Sequence, residues 1–112
     1  CEVILGAKAL PGTGHALLCG LGGIHVELLK DVCMRLAPVG SDEARQMLAG
    51  LRTFPLLAGA RGRPAVDIPA LVELIQRVSQ LVSEQPVIRE LDLNPVFAFQ
   101  QGVKVADARV ML

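Results

Sequence analysis

The stretch ELDLNPVFAFQQGVKVAD, Glu90 to Asp107, decides how this chain is built. Read as a strand, it places Glu90, Asp92 and Asn94 on one face, because alternate side chains of a strand point the same way. Leu91 and Leu93 then turn the other way into a core. Two carboxylates and an amide on one side of such a strand repel each other and lose solvation. Water, a neighbouring arginine or a metal ion has to offset that cost. Downstream, Gln101-Gly102 joins Val96–Gln100 to Val103–Asp107 as a hairpin. A two-residue loop pairs Gln100 with Val103 and sets Val96 opposite Asp107. If the strand runs on through Pro95, Val96 shares the face of Asn94, and Asp107 is a diagonal neighbour of Asn94 at about 7–8 Å between Cβ atoms. A four-residue loop keeps that register, and a three-residue loop would reverse its parity. Asp92, Asn94 and Asp107 are thus candidate ligands for one hard cation. Their oxygens suit magnesium, which keeps several waters and takes part of its shell from substrate phosphates.

Outward from the hairpin, the chain reads as strands, then helices, then strands. Glu2–Ala9 and Ala16–Leu21 are apolar strands separated by the turn-forming PGTGH, Pro11–His15. His25–Lys30 and Cys33–Ala37 read as further extended pieces, the second ending at Pro38. Ser41 reads as an N-cap, with Asp42 and Glu43 in the first turn where the helix dipole favours negative charge. That helix runs to Ala49 and stops at Gly50. Residues 51–66 read as loop from their Pro and Gly content. Asp67 caps a second helix, whose residues Leu71, Leu74, Ile75, Val78, Leu81 and Val82 form one apolar stripe and which ends at Pro86. Val87–Leu93 begins the final set of strands. This order predicts an α+β fold, a mainly antiparallel sheet of five to six strands backed by two helices.

Composition sets the class. The chain has 112 residues, one domain or part of one, and a chain of that size buries roughly 65% of its unfolded surface. Hydrophobic residues make up 52% and aromatics only 3%, without Trp or Tyr, so the core is aliphatic. A mean hydropathy of +0.48 is high for a free-standing domain and fits a piece whose apolar face meets another part of a larger protein, or self-associates. The opening Cys1 also reads as the interior of a longer frame. Zero net charge argues against a nucleic-acid or membrane partner held by a broad field. No apolar run reaches the ~18 residues that span a bilayer, and no basic leader precedes an apolar stretch. Cys1, Cys19 and Cys33 are odd in number and form no CxxC, which reads as reduced thiols in a cytoplasmic protein. With His15 and His25 they match no familiar zinc spacing.

Three segments taken together, GLGGIHVELLKDVCMRLAP (Gly20–Pro38), FPLLAGARGRP (Phe54–Pro64) and ELDLNPV with VADARV (within Glu90–Val110), resemble the ATP-grasp domain of NDP-forming acyl-CoA synthetases. The same module occurs in ADP-forming acetate–CoA ligases and in multidomain bacterial protein lysine acetyltransferases, and succinyl-CoA synthetase β subunits are more distantly similar. The resemblance runs over nearly the whole chain, residues 1–112, and implies that it is the second half of a fold that clasps ATP or ADP between two α+β subdomains. It implies magnesium on the nucleotide phosphates, held by Asp92, Asn94 and Asp107. It also implies other domains that carry a phosphohistidine and bind the CoA thioester, so neither His15 nor His25 inherits that role. In acetyltransferase relatives the same region implies a non-catalytic ligand-sensing or assembly role. The chain departs from the family pattern at Leu10–His15, where relatives carry an Asp-Pro-x-Phe-Gly-Pro run.

Further candidates have a plain structural alternative. Gly22 and Gly23 offer backbone N–H groups to phosphate, or form a bulge where two strands meet. Glu27 and Arg35 alternate with apolar residues as solvent-facing strand positions do. The resemblance raises Glu27 as a nucleotide contact and Arg35 as the catalytic cation of phosphoryl transfer. Arg61 and Arg63 lie in a Gly-rich loop and reach either a phosphate or solvent.

Overall fold

The structure, a computed structural model, describes residues 1–23, 30–60 and 62–112. Its elements in chain order are β1 (Glu2–Leu10), β2 (Gly14–Leu21), β3 (Val32–Leu36), α1 (Ser41–Ala49), the single helical turn α2 (Phe54–Leu57), α3 (Ile68–Glu84), β4 (Glu90–Ala98), β5 (Val103–Val105) and β6 (Ala108–Met111). All strand pairings are antiparallel, in the order β3-β2-β1-β4-β5, with β6 following β5 along the same edge of β4. The architecture is the expected α+β sheet, with six strands.

Strand alternation builds the core. Val3, Leu5 and Ala7 of β1 stand beside Leu21, Cys19 and Leu17 of β2 and beside Val96, Leu93 and Leu91 of β4, and all nine are buried. Met47 and Leu48 of α1 and Leu71, Ile75, Val78 and Val82 of α3 close over that face. Each fully buried aliphatic side chain contributes about 1.5–3 kcal/mol, so aliphatic packing suffices without Trp or Tyr. Among the described residues, no helix packs on the opposite face of the sheet.

The helices differ in detail from their sequence signatures. Asp67 caps α3 as expected, its Oδ1 accepting the Ala70 N–H at 3.1 Å. Leu81 leaves the predicted stripe and is 42% exposed, while Ser79 is buried instead. Ser79 Oγ accepts the Val39 N–H at 2.8 Å, which rolls that flank of α3 onto the segment before α1. At α1 the N-cap is Gly40 rather than Ser41, because the Gly40 carbonyl accepts the first helical N–H, from Ala44, at 2.9 Å. The expected loop 51–66 contains α2, which Asp31 organises. The buried Asp31 carboxylate accepts the N–H groups of Arg52 and Thr53 at 2.8 Å each and the Thr53 hydroxyl. Burial by itself raises this carboxyl; the Thr53 hydroxyl, the two N–H donors and the Arg52 charge outweigh it and hold the pKa below 3.8.

The expected strand His25–Lys30 lies outside the described residues except for Lys30, which is exposed in a left-handed conformation (φ 52°) just before β3. Val87–Leu93 and Val96–Gln100 are not two strands. They merge into β4, which runs through Pro95, and Val87 itself is exposed outside it.

Candidate functional site

Pro95 shapes the site. Leu5 pairs with Leu93 and Val3 with Val96, so the single residue Ile4 of β1 faces two residues of β4, Asn94 and Pro95. Proline has no N–H for the ladder and therefore sits at such a bulge, where the extra residue reverses the alternation. Asp92 and Asn94 stay on the open face, and Val96 enters the core with no exposed surface. Val96 thus does not share the face of Asn94, contrary to uninterrupted alternation.

The partner strand breaks at the same level. Leu93 pairs with Ala108 and Val96 with Val105. Between them Asn94 donates its N–H to the Asp107 carbonyl at 3.1 Å, and Ala106 donates to the Pro95 carbonyl at 3.0 Å. Asp107, one residue before β6, therefore lies level with Asn94 rather than diagonal to it. The hairpin closes at Ala98 and Val103 rather than at Gln100 and Val103. Asp67 is the reason: its Oδ2 accepts the Gly102 N–H at 2.7 Å, and its own N–H donates to the Phe99 carbonyl at 2.7 Å. The cap of α3 thereby holds a four-residue loop, in which Gly102 takes φ 84°.

By register Asp92 and Asn94 on β4 stand level with Arg109 and Asp107 on the neighbouring strand, a rectangle of four exposed residues. Gly6 of β1 stands opposite Asp92 on the other side, and a Cβ there would come within 3.4 Å of the Leu91 carbonyl and 4.0 Å of Asp92 Oδ1. A side chain at that position would crowd the Asp92 carboxylate. Two cavities adjoin the rectangle and share Glu90 and Asp92 in their walls. One, of about 320 Å³, includes Gly6, Leu18 and Met34; the other, of about 520 Å³, includes Arg109 and Met111. Among the described residues the one salt bridge joins Arg77 to Glu73 on α3, so Asp92, Asp107 and Arg109 form none with one another. Two carboxylates and an amide oxygen on an open face fit a hard cation that retains waters. No group of three or more His, Cys, Asp or Glu side chains among the described residues is placed to hold a metal.

The other candidates do not gather here. Arg35 pairs across β2–β3 with the fully buried Leu17, and so lies on the helix side of the sheet, while Asp92 lies on the open side and three strands away, with β2 and β1 between. Its Nη1 donates to the Met34 carbonyl at 2.8 Å and to Cys33 Sγ at 3.2 Å. Gly22 is buried with its N–H given to the Glu2 carbonyl at 2.9 Å, so that N–H is not available to a phosphate. Gly23 is exposed in a left-handed turn (φ 71°) at the end of β2. Glu27, His25 and Arg61 lie outside the described residues, and Arg63 is exposed. His15 is buried and donates from Nε2 to the Ile88 carbonyl at 2.6 Å, a packing role. Cys19 and Cys33 are cross-strand partners and free thiols; burial, then the neighbouring Cys33, pushes the Cys19 thiol up to about 12. The role of Gly6 left no mark in the sequence. Arg109 did leave one, two residues from Asp107 in the alternating run DAR.

Residues 1–112 match the ATP-grasp domain along their whole length. The chain belongs to the ATP-grasp family. This ATP-grasp chain is 46% identical to the β subunit of ADP-forming acetate–CoA ligase II from Pyrococcus furiosus over 114 aligned residues, covering 99% of the chain and 48% of that subunit. It is 48% identical to the ADP-forming 4-hydroxybutyrate–CoA ligase of Nitrosopumilus maritimus, covering 99% of the chain and 16% of that protein. Among solved structures it superimposes with a TM-score of 0.94, at 40% identity, on the dinucleotide-forming acetyl-coenzyme A synthetase 1 of Ca. Korarchaeum cryptofilum. That match covers 99% of the chain and 52% of the other, which was solved with coenzyme A and Mg-AMPPCP. The ATP-grasp chain thus spans about half the length of the β subunit it matches. None of its described helices is long and apolar enough to cross a membrane.

Proposed function

We propose that this chain is the magnesium- and phosphate-holding half of the ATP-grasp module of an NDP-forming acyl-CoA synthetase, which interconverts acid, CoA and ATP with acyl-CoA, ADP and phosphate. The supporting observation is the direct pairing of Asn94 with Asp107 beside Asp92 on the open face. Asp92 and Asp107 would hold the ion through carboxylate oxygens and Asn94 through its amide oxygen. Held there, magnesium would supply charge neutralisation for the nucleotide phosphates. The chain's own part is positioning: the ladder and bulge fix the three ligands before the nucleotide arrives, and positioning carries most of phosphoryl-transfer catalysis. Arg35, on the opposite face, takes no part in this assignment.

The open face is the side that meets the nucleotide and the first half of the clasp. Met34 and Leu36 of β3 expose 55% and 51% of their surface there, and the relatives' β subunit is about twice as long as this chain. The CoA thioester and the phosphohistidine belong to other domains of the parent, and the odd, unframed cysteines suit its residence in the cytoplasm.

Thermal unfolding of the full-length parent protein tests the assignment. ATP with magnesium at 100 times its dissociation constant stabilises by about 2.7 kcal/mol, and EDTA abolishes the effect. Stabilisation by ATP that persists without any divalent ion, or none at all, overturns it. The 112-residue chain alone shows no turnover, since half a clasp does not exclude water or orient an acceptor.

A further inference from the structure

We propose that Cys19 and Cys33 form a reversible oxidation site, in which a peroxide oxidises Cys33 and Cys19 then closes a cross-strand disulfide. The inference goes beyond the function proposed above and does not rest on it.

The two cysteines are direct partners on β2 and β3, and direct partners share a face of the sheet. Both are free thiols; Cys19 has no exposed surface and Cys33 is half-buried. Ala37 donates its N–H to the His15 carbonyl at 2.8 Å, which marks His15 and Ala37 as a hydrogen-bonded pair. Such pairs recur at every second residue of an antiparallel ladder, so Leu17–Arg35 and Cys19–Cys33 are of the same kind. Cα atoms of a hydrogen-bonded pair stand about 5.5 Å apart, and a disulfide spans about 5.5–6 Å. Cβ atoms start about 4.5–5.5 Å apart and close to about 3.8 Å in the disulfide. β3 ends the described sheet, so it can move toward β2 without breaking a second ladder among the described residues.

The surroundings assign the two sulfurs different parts. Arg35 Nη1 donates to Cys33 Sγ at 3.2 Å, which fixes the less buried sulfur beside a cation. A Cβ at Gly50 would lie 3.7 Å from the same sulfur, so the glycine keeps space beside it. Burial pushes the Cys19 thiol up to about 12, and a protonated thiol does not start the reaction. The Cys33 sulfur, as thiolate, attacks one oxygen of hydrogen peroxide. The O–O bond breaks, the leaving hydroxide takes up the proton that Cys33 gave up, and the sulfur becomes a sulfenic acid. The Cys19 sulfur then attacks the sulfenic sulfur. An S–S bond forms, the S–O bond breaks, and the hydroxyl leaves as water with the Cys19 proton. Two thiols and one hydrogen peroxide thus give one disulfide and two waters, and a dithiol reverses the step by exchange.

The test is peptide mapping of the full-length parent protein after hydrogen peroxide treatment, blocking of free thiols and tryptic digestion without reductant. Trypsin cuts after Lys30, so Cys19 and Cys33 fall on separate peptides. The expected product is those two peptides linked, two hydrogens lighter than their sum, and separated again by dithiothreitol. With dimedone present, Cys19→Ala gives an adduct at Cys33, whereas Cys33→Ala gives none at Cys19. Absence of the linked peptide in the wild type, even in excess peroxide, overturns the proposal. Linkage of either cysteine to Cys1 instead, or a dimedone adduct at Cys19 rather than Cys33, overturns it as well.

Discussion

Asn94 and Asp107 face each other across the edge of the sheet, joined by a 3.1 Å hydrogen bond from the Asn94 N–H to the Asp107 carbonyl. The main chain, not the side chains, thus carries the pairing, and both residues are exposed. Replacing either side chain leaves the ladder intact.

Asp107→Asn accordingly preserves the fold and changes the unfolding free energy of the ligand-free protein by less than about 0.5 kcal/mol. Any change is toward greater stability, because one of two neighbouring carboxylates is lost. In the full-length protein the same change weakens magnesium-dependent nucleotide binding at least tenfold, measured as the shift in melting temperature with nucleotide concentration.

Asp31 stabilises the turn into α2 through two N–H donors and a hydroxyl. Asp31→Ala leaves those donors without their acceptor and costs about 2–3 kcal/mol in denaturant unfolding. Its folded pKa lies below the ordinary 3.8, so its stabilising contribution is fully present above that value and is lost as pH falls through the folded pKa. The stability gap between wild type and Asp31→Ala is therefore constant from neutral pH to about pH 5 and narrows below pH 3.8. A gap that widens on acidification contradicts this.

Asp67 both caps α3 and anchors the β4–β5 loop. Asp67→Ala costs about 1–2 kcal/mol for the cap alone. It also releases the Gly102 amide, whose hydrogen-exchange protection drops relative to that of β4. Unchanged protection at Gly102 shows that the loop holds its register without α3.

Cys1 and Cys19 react at opposite extremes. Cys1 is exposed and is alkylated first. With its pKa pushed up to about 12, Cys19 at pH 8 is thiolate in roughly one molecule in ten thousand, so it stays unmodified until the protein unfolds. Mass-spectrometric mapping after brief iodoacetamide treatment reads this directly.

The isolated chain self-associates through the apolar end of its open face, where Met34 and Leu36 are exposed on β3. Light scattering at high concentration shows dimers or larger species, and the double variant Met34→Lys, Leu36→Lys restores the monomer. A wild type that is monomeric throughout contradicts this.

Periodicity alone determined a good deal of this protein. The Leu71–Val82 stripe, the cap at Asp67, the alternation of β1 and β4 and the antiparallel α+β class are all local, because hydrophobic spacing and capping chemistry act within a few residues. The grouping of Asp92 with Asn94 is equally local, and Asp107 entered through the hairpin. What only the tertiary structure decided was register and face. Whether Pro95 ends a strand or bulges it depends on Ile4, some 90 residues earlier in the chain, and Val96 turned into the core as a result. The hairpin loop was set by Asp67, 35 residues from Gly102. Arg35 went to the helix side because Leu17, its partner on β2, faces the core. The acidic role of Asp31 likewise waited on Arg52 and Thr53. A one-residue slip exchanges the two faces of a strand, and no local pattern records the partner that prevents it.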